Sequence, residues 1–132
     1  MQVDDNKKNV VLVIEDDQDV LSMLVKHLAH MGYEVITARG GMEGLKKLNS
    51  EKFDLVITDI VMPIHDGLWL LDQVHQRWPK TVVIMESGAL DPATVLTTKQ
   101  QGAVDFLPKP FGREMVYQAL ERAAVRLRSD RS

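Results

Sequence analysis

The chain has 132 residues, 45% of them hydrophobic and 27% charged, with a net charge of −3 at neutral pH and no cysteine. That size suits one domain of about 100–150 residues, and the composition excludes a disordered chain, a disulfide framework, a thiolate metal site and a cysteine nucleophile. No apolar run approaches the roughly 20 residues that cross a bilayer, and residues 1–9 lack the apolar stretch of a signal peptide, so a cytoplasmic location is expected.

Val10–Ile14 (VVLVI) is a continuous apolar, β-branched run. A half-exposed strand would alternate, so this one is expected to be buried on both faces. Val20, Leu21, Leu24, Val25 and Leu28 then fall on one helical face, and Gly32 fits a helix stop. The pattern repeats. Strands are predicted at Glu34–Thr37, Leu55–Thr58, Val82–Glu86 and Val104–Leu107. Helices are predicted at Met42–Leu48, from Asp66 or Gly67 to Trp78, at Asp91–Gln100 and at Arg113–Leu127. The fourth of the five helices is rich in weak helix formers, namely Thr94, Val95, Thr97 and Thr98.

Five β–α units with apolar strands imply an α/β fold, a doubly wound parallel sheet with helices on both faces. Five units are too few to close a barrel of eight. Residues 1–9 are expected to form a flexible tail, 10–128 the domain and 129–132 a second tail. Too few residues follow Leu127 for an output domain, so the chain either acts alone by docking or is one piece of a longer protein.

Ligands of such sheets bind beyond the carboxyl ends of the strands. Glu15, Asp16 and Asp17 follow the first strand, Asp59 the third, Ser87 and Gly88 the fourth, and Lys109 and Pro110 the fifth. Carboxylates gathered at one rim repel unless a cation joins them, and all-oxygen ligands suit a hard ion such as Mg²⁺. A carboxylate can also act as nucleophile and form an aspartyl phosphate. The equatorial oxygens of a transferring phosphoryl group are then neutralised by metal, lysine and hydroxyl. The set points to phosphoryl transfer onto a carboxylate.

The stretches VVLVIEDDQDV, DLVITDIVMPIHDG, VVIMESG and GAVDFLPKPF resemble, in order, the receiver domain of two-component response regulators. The resemblance runs from about Asn9 to Leu127. It implies a flavodoxin-like sheet of order 2-1-3-4-5 with five helices, and a switch that accepts a phosphoryl group on Asp59. It implies Mg²⁺, for which Mn²⁺ could substitute, held by Asp16, Asp59 and the Val61 carbonyl, with Glu15 acting mainly through water. Ser87 and Lys109 would contact the phosphoryl oxygens. Ser87 and Phe106 would form the switch pair, and Lys109–Pro110 would be a cis peptide. The implied donor is a sensor histidine kinase or a phosphotransfer protein. The implied output is a downstream effector, or a dimer, through the face of the fourth helix, fifth strand and fifth helix. No membrane partner is implied, and nucleic acid only through an output domain.

The family more often has Asp at the position of Glu15 and Thr at that of Ser87. Glu86 is out of place, an acid in a strand that otherwise looks buried. Val61 and Ala89 stand where the family's fast-resetting members carry polar side chains, so a long-lived phosphorylated state is expected. His65 lies close to the site in sequence, and Asp17 fits a helix cap better than a ligand. An aspartyl-phosphate phosphatase would need an acid two residues after Asp59, where Val61 stands. A flavodoxin-like cofactor binder would need a phosphate-cradling first loop, and no dinucleotide fingerprint or Walker A sequence is present.

Overall fold

The computed structural model describes residues 9–62, 66–88 and 92–131. Five strands, β1 (Val10–Ile14), β2 (Glu34–Ala38), β3 (Leu55–Asp59), β4 (Val82–Ser87) and β5 (Asp105–Pro108), form one parallel sheet in the order β2-β1-β3-β4-β5. Five helices alternate with them: α1 (Gln18–His30), α2 (Gly41–Ser50), α3 (Gly67–Arg77), α4 (Pro92–Gln100) and α5 (Arg113–Arg131). This is the doubly wound α/β architecture expected from the alternation of strands and helices, with the strand order that the family resemblance implies.

The sheet's two faces feed two apolar clusters. Val11, Val13, Leu55, Ile57, Val82, Ile84 and Leu107 meet α1 and α5 on one side. Leu12, Ile14, Val56, Val83 and Met85 meet α2 and α3 on the other. β1, β3 and β4 are covered on both sides, which is why their sequences run apolar without alternation.

Local signals fix the helix ends. The Asp17 carboxylate caps α1 by accepting from the Asp19 and Val20 backbone N–H groups. Gly32 follows α1 at φ +92°, a left-handed conformation that stops a helix cheaply only at glycine. Asp66 caps α3 through the Trp69 N–H. In α4 the Thr97 and Thr98 hydroxyls bond back to the Ala93 and Val95 carbonyls, so threonines are accommodated inside a helix. α4 gives no residue to either apolar cluster and leaves Leu96 exposed.

The structure differs from expectation at several ends. β3 and β4 run one residue further, to Asp59 and Ser87, so both site residues belong to strands. β5 is shifted to Asp105–Pro108. α5 continues past Leu127 to Arg131, so the tail expected from Ser129 is helical through Arg131. Arg128, near that end, suits the helix dipole. Asn9, expected in the first tail, accepts from the Glu34 N–H. His65, Ala89 and Asp91 lie outside the described residues. No helix among the described residues is long and apolar enough to cross a membrane.

Candidate functional site

The site grows out of the sheet's alternation. Along β1 the side chains Val11 and Val13 face the α1/α5 core, and Glu15 is the next of that series. In β3 the series is Leu55, Ile57, Asp59, and in β4 it is Val82, Ile84, Glu86. Lys109 follows Leu107 in the same way beyond β5. Period-two geometry thus sends Glu15, Asp59, Glu86 and Lys109 to one side of the sheet, one step above the apolar core. The register pairs Asp59 with Glu86. Backbone bonds past the strand ends hold the rim together: Glu15 N–H to Ala38, Ile60 N–H to Glu86 and Lys109 N–H to Ser87.

Lys109 stands among the three acids. Its Nζ lies 2.9 Å from Asp59 Oδ2, 2.9 Å from Glu15 Oε1 and 3.6 Å from Glu86 Oε1. The Asp59 contact is a hydrogen bond, whereas the Glu15 contact is an ion pair off the hydrogen-bonding direction. The other Asp59 oxygen, Oδ1, accepts from the Val61 N–H at 3.1 Å. Glu15 Oε2 accepts from the Asp17 N–H at 3.0 Å. Glu86 is 0% exposed, and neither of its oxygens has a hydrogen-bond partner.

These surroundings split the acids. Burial works to raise the Glu15 carboxyl, but the Glu86 carboxyl, the Asp17 N–H and Lys109 outweigh it and hold Glu15 well below the usual range. Burial pushes Asp59 up, against the hydrogen bond from Lys109. Burial, with Glu15 beside it, pushes Glu86 up furthest, so of the three acids it is the one most reluctant to ionise. Burial opposes the charge on Lys109, yet Glu15, Asp59 and Glu86 hold it above its ordinary range.

Glu15, Asp59 and Glu86 each offer an oxygen within 4.8 Å of the others. Lys109 Nζ lies within 3.6 Å of all three, and the Glu15 and Asp59 carboxylates supply hard-oxygen donors of the kind that fit a divalent cation. Of the residues implied as metal ligands, Glu15 and Asp59 are in this group. Asp16 is exposed in the turn after β1, where its carbonyl accepts from Arg39 Nη2 at 3.0 Å. Val61 is 62% exposed, and its backbone borders Asp59. Ser87 is buried at the end of β4, paired in register with Pro108. Phe106 is half-buried, paired with Met85 and packed on the α2/α3 core. Lys109–Pro110 is cis, as expected. Glu86 stands out in the sequence only as an acid in a buried strand; the series Val82, Ile84, Glu86, aligned with Leu55, Ile57, Asp59, is the signal that places it.

Comparison with known proteins bears on the family and the fold. A family profile described as the response regulator receiver domain matches residues 11–121. The transcriptional regulatory protein GlrR of Escherichia coli strain K12 is 40% identical over 114 residues, which are 86% of this chain and 26% of GlrR. A probable C4-dicarboxylate response regulator of Priestia megaterium, DctR, is 41% identical over 122 residues, 89% of this chain and 53% of that protein. The chain thus spans about a quarter of GlrR and about half of DctR. Among solved structures, the chemotaxis response regulator CheY4 of Vibrio cholerae superposes with a TM-score of 0.83 at 30% identity, covering 89% of this chain and 99% of that one. Because the profile runs from β1 through β5 and into the first half of α5, this chain belongs to the receiver domains of two-component response regulators.

Proposed function

We propose that the domain is a phosphorylation switch in which Asp59 accepts a phosphoryl group from the phosphohistidine of a sensor kinase or phosphotransfer protein. The observation that carries this reading is the Lys109–Asp59 hydrogen bond within a buried acidic rim. An Asp59 carboxylate oxygen attacks phosphorus, the phosphorus–nitrogen bond breaks, and the leaving imidazole recovers a proton from solvent. Lys109 and the Ser87 hydroxyl neutralise phosphoryl oxygens as charge builds on them. Asp16, Asp59 and the Val61 carbonyl would hold Mg²⁺ or Mn²⁺, with Glu15 acting through water. When bound, the ion supplies further charge neutralisation at the phosphoryl oxygens.

Ser87 and Phe106 transmit the change to the face of α4, β5 and α5, where an effector or a second copy docks. Exposed Leu96 on α4 and exposed Met115 and Val125 on α5 support that choice of surface. The domain catalyses only its own phosphorylation and slow dephosphorylation, and works in the cytoplasm.

Acetyl phosphate with Mg²⁺ should load one hydroxylamine-labile phosphate on the wild type and none on Asp59→Asn. Asp16→Asn should lose the metal dependence more completely than Glu15→Gln. Wild-type loading kinetics in Asp59→Asn would refute the assignment of the acceptor.

A further inference from the structure

Glu86 has no part in the chemistry above, yet it lies beside that chemistry. Its carboxyl is 0% exposed, both of its oxygens lack hydrogen-bond partners, and its nearest cation is Lys109 Nζ at 3.6 Å. An unsatisfied buried acid is costly, and strand positions below it in the α1/α5 series are all apolar. Such a residue persists where it serves a function at some expense of stability. A role as a cation ligand fits poorly, because the Lys109 ammonium already occupies the space among Glu15, Asp59 and Glu86. A divalent ion bound by all three would have to displace it.

We infer that Glu86 is a positioning residue for Lys109: the third carboxyl of a cage that holds the ammonium at the floor of the site. The reading rests on Lys109 being the group that contacts the phosphoryl oxygens. Lys109 has a long stem and its side chain is 22% exposed, so two carboxyls at the rim would leave it a path to solvent. Glu86 closes the cage from beneath. It is held there by its place in β4 and its register with Asp59, both of which are fixed before any phosphoryl group arrives. The lysine is then placed in advance, which spares the reaction the cost of ordering it.

The test reads the lysine itself, in unphosphorylated protein with no phosphodonor, so it can fail independently of whether Asp59 is the acceptor. Ammonium nitrogen–proton spectra give the rate at which Lys109 protons exchange with water, with the signal assigned by its loss in Lys109→Arg. Glu86→Met should raise that rate by about threefold or more, while its melting temperature stays at or above that of the wild type because an unsatisfied acid has gone. Glu86→Gln, which keeps a polar oxygen at the same reach, should recover most of the protection. Unchanged exchange in Glu86→Met overturns the inference, as does Glu86→Gln exchanging as fast as Glu86→Met.

Discussion

Lys109 Nζ donates to Asp59 Oδ2 at 2.9 Å across 50 positions of sequence. β4 lies between the two strands that deliver them, and Glu86 at its end sits beside the bond. The sheet order therefore sets the charge balance of the site, with three acids and one base on adjoining strand ends.

Removing the base should be costly. Lys109→Met leaves Glu15, Asp59 and Glu86 without their cation, and breaking a buried ion pair of this kind costs on the order of 3 kcal/mol. The deficit should be largest near neutral pH and shrink in acid, where the carboxyls can be neutralised by protons instead. Urea unfolding at about pH 5 and about pH 7 measures it. An equal loss at both would mean that the charges do not set the penalty.

Gly67 is a second constraint on Asp59. A Cβ there would lie 2.3 Å from the Asp59 carbonyl oxygen and 2.8 Å from Ile60 Cα, and its own N–H donates to the Ile60 carbonyl at 2.8 Å. Backbone atoms cannot swing aside as a side chain can. Gly67→Ala should therefore destabilise by about 1–3 kcal/mol and slow loading of phosphate by moving Asp59. Thermal unfolding and acetyl phosphate kinetics check the two effects, and a variant unchanged in both would contradict the close packing.

Glu86 should give the protein a distinctive pH dependence. Burial raises its folded pKa well above the ordinary value of 4.5. A raised acid contributes stability below its unfolded pKa and loses it as pH climbs toward the folded one. The wild type should therefore lose stability relative to Glu86→Gln as pH rises from about 4.5, with a limiting slope of about 1.4 kcal/mol per pH unit. Glu15 acts in the opposite sense: its folded pKa is lowered, so its contribution is present above the unfolded value and lost in acid. Melting curves of both proteins across this range decide the matter; parallel curves would mean that Glu86 is ionised in the native state.

The phosphorylated domain should reset slowly. Hydrolysis needs a water placed in line with phosphorus, best held by a polar side chain. Val61 is an exposed hydrocarbon beside Asp59, and Ala89, two residues after Ser87, has no group that could hold a water. Val61→Asn with Ala89→Glu should shorten the lifetime of the phosphorylated protein several-fold. A lifetime unchanged in the double variant would remove water access as the cause.

The sequence displayed the sheet clearly because β1, β3 and β4 are buried on both faces and so run apolar without a break. Strand ends were less legible. Asp59 and Ser87 are polar, and polarity suggests a loop, yet each continues its ladder because its neighbour strand extends equally far. The four strand-end motifs pointed to Asp59, Glu15, Ser87 and Lys109 as candidates through their order along the chain, and the structure brings Glu15, Asp59 and Lys109 into contact. Glu86 stood out only as an anomaly. Its position beside Lys109 depends on the pairing of β3 with β4 and on the face that each alternate side chain takes, which a single strand read alone does not reveal. The length of α5 was also hidden, since the arginines after Leu127 fit a solvated helix end and a tail equally well.

The central claim, that Asp59 carries the phosphoryl group, is tested most directly by chemical trapping. Protein loaded with acetyl phosphate and Mg²⁺ is treated with borohydride, which reduces an acyl phosphate to the alcohol, and the modified residue is located by peptide mass mapping. The account predicts homoserine at position 59 and unmodified aspartate at 16 and 17. Homoserine at another aspartate, or stable phosphate with no reduced residue, would contradict it.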